Sequence, residues 1–557
     1  LTRNIAHKQR ELLSHYYIKK QSKVDIDQPH IAAALARMRR ARIVGRIWER
    51  DHTVWKQASS EISNRLGWLG LPERMRSRLK NILELATQVQ REEIRHVVVL
   101  GMGGSSLGAE VLRRSFPRSE GFPELIVLDS TVPASVKVVR DKIDVASTLF
   151  IVSSKSGTTV ETNALYRYFR GLMEVAIGSL DAGDHFIAIT DSGTPLDLLA
   201  REQQFRKVFK NHTDVGGRYS VLSDFGIVPA ALYGIDVERL LGRARAMQMA
   251  CSAKVDSLAH PGLQLGAVIG SMALNGRDKL TVLTSPGVES LGRWLEQLIA
   301  ESTGKEGRGI VPVVEEPLMS PRHYGSDRLF AYLQVEGNDN KATNQAIKKL
   351  ESSGQPVIRI LLRDVFDLGS EFFRWEFATA VAGHVLGVHP FDQPNVQRAK
   401  EKTDQEIDRY YESGKRPSRK NVGSLSEMLA SAVPGDYLAI QAYVRETPET
   451  NQALGKLRRA VLEEKGIATT VGYGPAYLHS TGQLHKAGPD SGMFLQLTSQ
   501  ERMDMEIPHE RYSFRALLSA QAEADLEALQ ATGRRVARIV VNMRDIESLG
   551  SLVPKVN

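Results

Sequence analysis

The 557-residue chain contains one cysteine, Cys251. A single thiol can close no internal disulfide and build no cysteine-ligated zinc cluster, which excludes a disulfide-stapled secreted scaffold and a zinc-finger module. No apolar run approaches the roughly 20 residues that span a bilayer. The opening "LTRNIAHKQRELLSHYYIKK" also lacks the apolar core of a secretory signal. The expectation is a cytoplasmic protein with no membrane partner. Aromatic residues make up only 6% of the chain, and none interleaves with the basic stretch "RMRRARIVGR" (37–46). Those cations alternate with apolar positions at helical spacing, so the net charge of +8 reads as solvated surface and no nucleic-acid partner is expected. Low-complexity tracts and solenoid-period repeats are missing too.

What is present is a pattern of short apolar runs separated by amphipathic stretches. Residues 1–94 read as a helical region with few turn signals. From about residue 96, "HVVVLG", "ELIVLD", "TLFIVS" and "HFIAIT" each precede a helix-like segment, and a second series begins near 279 with "KLTVLTS", "GIVPVV", "LFAYLQV" and "PVIRILL". Strands alternating with helices predict parallel sheets covered on both faces. The expected fold is α/β, with two tandem doubly wound parallel sheets over 95–245 and 246–410. After the polar stretch "YYESGKRPSRKNVGS", a small α+β domain is expected over 425–557.

Two loops carry the chemistry of the first sheet. "VVVLGMGGSSLGAEVL" sets Gly101, Gly103 and Gly104 at a strand end, and Asp129 closes the next strand. A dinucleotide site would use such glycines and such an acid, but its third fingerprint position is Ser106 here. Ser105 and Ser106 suit a sugar hydroxyl or a single phosphate instead. "SSKSGTT" (153–159) then gathers Ser154, Lys155, Ser156, Thr158 and Thr159 at the turn into a helix, where free backbone N–H groups favour an anion. A helix cap explains one such hydroxyl; four with a lysine fit a phosphate monoester. No H-x-x-x-H pair with a downstream acid suggests a metal, and no cofactor is expected.

"GMGGSSLG" and "SSKSGTTVET", followed in order by "GGRYS" (216–220), "EQLIAESTGKEG" (296–307) and "HPFDQPNVQRAK" (389–400), resemble the tandem sugar-isomerase domains of the glucose-6-phosphate isomerase family. The chain beyond 400 is similar to the tail of the isomerase half in bacterial transaldolase–isomerase fusions; no transaldolase half is present. The resemblance implies a homodimer that isomerises an aldose phosphate and a ketose phosphate through a cis-enediol, so that one base on one face suffices. It assigns Glu301 as that base, Arg218 as the cation facing the intermediate, Lys400 near the ring oxygen, and Gln297 and Gln393 to sugar hydroxyls. Gly104, Ser105 and the hydroxyl loop would hold the phosphorylated sugar.

The family carries a histidine between its base segment and its "FDQ" motif, in a stretch like "LHSMGQ", contributed across the dimer interface. That interval here offers only His323 and His384, neither in a matching motif, whereas "YLHSTGQLHK" (477–486), downstream of "FDQ", matches at His479. His479 is the expected ring-opening acid–base group, with His323 and His384 as alternatives. Two other functions compete with glucose 6-phosphate isomerisation: an isomerase for mannose 6-phosphate or another sugar phosphate, and a non-catalytic sugar-phosphate sensor. A pure binder needs neither Glu301 nor Arg218.

Overall fold

The computed structural model describes residues 28–394, 402, 405–409, 420–500, 503–542 and 546–554. Its first sheet consists of β1 (His96–Gly101), β2 (Glu124–Leu128), β3 (Thr148–Ser153), β4 (Phe186–Thr190) and β5 (Lys207–Lys210), all parallel, in the order β2-β1-β3-β4-β5. Side chains alternate between faces: Val97 and Val99 enter one apolar core, Val98 and Leu100 another. Both faces are therefore buried, as the continuous Val/Ile/Leu runs of a parallel sheet require. The expected N-terminal helical layer is present in the described part; the helix Leu79–Arg91 buries Leu79, Ile82, Leu85, Ala86 and Val89 on one stripe.

The second sheet holds β6 (Lys279–Thr284), β7 (Val311–Val313), β8 (Arg328–Val335) and β9 (Val357–Leu362), again all parallel, in the order β7-β6-β8-β9. The two doubly wound sheets match the expected α/β class. In both, the strand order reverses between the first and third strands, so the loops leaving these two strands flank a crevice. In the first sheet Gly101 pairs with Ser153, which sets the glycine loop and the hydroxyl loop side by side.

The C-terminal region corrects one detail of the sequence reading. It is not α+β: β10 (Tyr437–Tyr443), β11 (Ala468–Tyr473), β12 (Gly492–Ser499) and β13 (Arg535–Val541) form a third all-parallel sheet, ordered β11-β10-β12-β13. Helices Pro448–Lys465, Gly482–Ala487 and Phe514–Ala531 lie between consecutive strands, and such crossovers are what parallel pairing needs. In chain order this sheet runs second, first, third, fourth, as the second sheet does. It packs on the second through Ala300, Val311 and Val313 against Tyr437, Ala439, Leu484 and Phe494.

Candidate active site

The crevice of the first sheet opens into a cleft of about 550 Å³. Gly104, Ser105, Lys155, Ser156, Thr159, Arg218, Gln297, Glu301, Gln393 and His479 all line it, drawn from all three sheet regions. Glycine makes that convergence possible. Gly103 has φ +53°, and a Cβ there would lie 2.6 Å from the His479 carbonyl and 2.8 Å from Gln297 Nε2; one on Gly104 would lie 2.1 Å from the Gly217 carbonyl. Any side chain at either position would push the loops apart.

Arg218 and Glu301 form the buried centre. Arg218 is 3% exposed, and its Nη1 meets Glu301 Oε1 at 2.9 Å. Its other donors reach Ser302 Oγ (2.8 Å), the Pro390 carbonyl (2.6 Å) and the Asp392 carbonyl (3.0 Å). A guanidinium saturated in this way has one orientation, and it points along Glu301. Glu301 sits late in the helix Leu291–Thr303, where Gln297, one turn earlier, donates from Nε2 to Glu301 Oε2 at 3.2 Å and to the His479 carbonyl at 2.7 Å.

His479 ends a short turn, Ala476–His479, just after β11. Its Nε2 lies 2.8 Å from Glu161 Oε1, an oxygen that also accepts from Gln521 Nε2 at 2.6 Å. Burial pushes the Glu161 carboxyl up, but the charge and hydrogen bond of His479, with the Gln521 bond, outweigh it and hold the carboxyl below its usual range. Sequence reasoning missed Glu161 and Gln521. Glu161 carried a signal, since it lies in the first turn of the helix behind the hydroxyl loop; Gln521, in the middle of the helix Phe514–Ala531, carried none.

The hydroxyl loop divides its labour. Lys155, Ser156 and Thr159 face the cleft, whereas Ser154 is buried and Thr158 is not among the lining residues. Ser154 Oγ bridges to Thr159 Oγ1 at 2.9 Å and accepts from the Gly157 amide at 3.1 Å, so it shapes the turn. Thr158 Oγ1 pairs with Ser156 Oγ at 2.9 Å. Lys155 Nζ is ion-paired with Asp191, also on the cleft wall.

Lys305, within the quoted base segment but unassigned there, clamps the loop that carries Gln393. Its ammonium reaches the Asp392 carbonyl at 2.8 Å and Asp392 Oδ1 at 2.6 Å. Burial, then the Arg218 charge, pushes this lysine down to about 7 against the pull of Asp392. Lys400 lies outside the described residues. His323 falls on the turn Pro321–His323, and His384 bonds the Val54 carbonyl at 2.6 Å; neither lines the cleft. Asp129, the acid of the dinucleotide alternative, lines a different cavity. Among the described residues no cluster of His, Cys, Asp and Glu could hold a metal, and no helix is long and apolar enough to cross a membrane.

Two solved structures share the fold. One is a protein of Thermus thermophilus, at 24% identity and a TM-score of 0.59, over 68% of this chain and 98% of that one. The other is a glucose-6-phosphate isomerase of Chlamydia trachomatis, at 19% identity and a TM-score of 0.53, over 73% of this chain and 85% of that one. The sugar-isomerase architecture and the family model that matches residues 73–309, phosphoglucose isomerase, define an aldose–ketose isomerase. Glucose-6-phosphate isomerases of Rubrobacter xylanophilus and Symbiobacterium thermophilum are each 30% identical to it, over 60% of this chain and 87% and 85% of theirs. The chain belongs to the glucose-6-phosphate isomerase family.

Proposed function

We propose that the cleft interconverts glucose 6-phosphate and fructose 6-phosphate by ring opening followed by proton transfer through a cis-enediol. The observation that carries this reading is the buried Arg218–Glu301 pair at 2.9 Å, in one cleft with an anion-binding loop. The phosphate docks on Lys155, Ser156 and Thr159 at the helix N-terminus. His479, oriented by Glu161, protonates the ring oxygen while the anomeric hydroxyl loses its proton. Glu301 then removes the proton from C2 of the open aldose and returns it to C1. Arg218 faces the enediolate oxygen, where negative charge develops. Gln297 and Gln393 hold sugar hydroxyls, and Gly104 and Ser105 let the substrate approach the backbone closely. Lys400 would stand near the ring oxygen.

The reading requires no cofactor, and its small-molecule partner is a sugar phosphate. It describes a cytoplasmic enzyme that acts as a homodimer, with no nucleic-acid or membrane partner. The test is a coupled assay of the purified chain with fructose 6-phosphate, glucose 6-phosphate and mannose 6-phosphate, together with Glu301→Gln. The wild type should turn over the first two, and the variant should lose at least about 100-fold in kcat with KM little changed. Turnover of mannose 6-phosphate alone would replace the substrate, and near-normal turnover by Glu301→Gln would remove the base.

A further inference from the structure

Behind the cleft lies a second cavity, of about 280 Å³, that none of the side chains assigned to catalysis lines. It is walled by Asp129 beyond β2, by Arg293 and Glu296 of the helix Leu291–Thr303, and by Gly455, Arg458 and Tyr473 of the C-terminal sheet region. Gly103 belongs to the walls of both the cavity and the cleft.

The two guanidiniums in this cavity are already occupied. Arg293 binds Glu446 at 2.6 Å and Glu315 at 3.2 Å. Arg458, almost fully buried, donates to the Val314 carbonyl at 2.9 Å, the Glu315 carbonyl at 2.8 Å and Thr469 Oγ1 at 3.0 Å. Two carboxyls are left over. Glu296 is 8% exposed and its Oε1 meets no hydrogen-bond donor among the described residues. Asp129 forms no ion pair among the described residues. An unpartnered buried carboxyl is costly, and Glu296, with the partly buried Asp129 on the same cavity wall, calls for an occupant that brings hydrogen-bond donors and, in place of the proton that burial leaves on Glu296, positive charge. The rest of the wall mixes apolar Leu107, Leu454 and Val471 with Asn451, Tyr473 and Ser480, and the described residues include no metal-binding trio, so a bare inorganic cation does not fit.

We propose that this cavity is a second ligand site, for a small organic ammonium ion whose nitrogen is held by Asp129 and Glu296 while its apolar part lies against Leu454 and Val471. The site makes no use of the chemistry in the cleft, so it can hold or fail independently of the proposed reaction.

Calorimetry on the full chain, with benzylammonium as probe and benzyl alcohol as its neutral counterpart, tests the site. Benzylammonium should bind saturably, with and without fructose 6-phosphate, and at least about tenfold more tightly than benzyl alcohol. The double variant Asp129→Asn, Glu296→Gln should abolish that preference. Gly455→Phe offers a route that leaves the acids alone: a Cβ at Gly455 meets nothing within 4 Å, so the ring enters the empty space and should block binding while isomerase activity persists. No saturable binding, equal affinity for the two probes, displacement by fructose 6-phosphate, or unchanged binding in Gly455→Phe would each overturn the proposal.

Discussion

Gln521 and Glu161, 360 residues apart in sequence, meet at 2.6 Å, and the carboxylate oxygen they share also receives His479 at 2.8 Å. A helix of the C-terminal sheet thus orients a carboxylate of the first sheet, which in turn orients an imidazole from a third segment. Replacing Gln521 with Leu leaves the buried Glu161 short of one charge-assisted bond, a loss of about 1–3 kcal/mol in stability. If the relay positions His479 for ring opening, kcat on cyclic fructose 6-phosphate should also drop about tenfold, while proton exchange on an open-chain aldotetrose phosphate stays near wild type. His479→Ala should show the same split more strongly. Equal slowing of both substrates would give Gln521 a purely structural role.

Lys155 shares the cleft wall with Asp191, and their ion pair mutes the positive charge available to a phosphate. Lys155→Ala should raise KM for the phosphorylated sugar about tenfold with a smaller effect on kcat, since phosphate binding is largely uniform between ground and transition states. Asp191→Asn should do the reverse and lower KM by a few-fold, the gain being modest because the pair is partly solvated. Steady-state kinetics of both variants decide it; a raised KM in Asp191→Asn would mean that the aspartate positions the lysine more than it masks it.

Much of this arrangement was legible in the sequence because it is local. The strands β1 and β3 are continuous apolar runs, and the loops that follow them, with Glu301 four residues beyond Gln297, are defined within a few positions. In the C-terminal region the strands "YLAIQAYV", "IATTVGY", "MFLQLT" and "RVARIVV" were legible as apolar runs, but runs that short do not declare parallel or antiparallel pairing by themselves, and the region read as α+β. What the sequence could not contain was tertiary accounting. Ser154 and Thr158 look equivalent to Ser156 and Thr159 until the turn buries Ser154 and leaves Thr158 off the cleft wall. Lys305 looks like an ordinary polar residue until burial and two loop oxygens surround it. Gln521 has no motif at all; its role exists only because the third sheet returns to the first.

Glu296 makes stability depend on pH in a direction that can be worked out. Burial, then the nearby Glu315, raises its carboxyl to about 8, with Arg458 and Arg293 opposing. Its ordinary value is 4.5, so between roughly pH 4.5 and 8 the folded chain holds a proton that the unfolded chain has lost. This contribution is complete below about 4.5 and disappears as pH rises through about 8. Glu296→Gln should flatten the decline, so that urea midpoints measured from about pH 5 to 8 fall less steeply than in the wild type. Parallel slopes in the two proteins would show that the side chain ionises without penalty.

Among the described residues, the side chains that line the cleft, His479 with them, come from one chain, and the backbone carbonyl of His479 is fixed by Gln297 of the same chain at 2.7 Å. This geometry separates two ways of completing the site that the sequence left open, one within the chain and one across a dimer. Consider the variants Glu301→Gln and His479→Ala, purified separately, then unfolded and refolded together. If His479 served a neighbouring subunit, mixed dimers would contain one cleft with both groups intact, and about a quarter of wild-type activity would return at equal mixing. With both groups supplied in cis, every cleft lacks one of them, and the mixture should be no more active than the average of the two variants alone. A refolded wild-type control fixes the recoverable activity. Specific activity of the wild type should likewise stay constant on dilution through any subunit dissociation. Recovery in the mixture would move His479 to a partner's cleft and overturn the single-chain site.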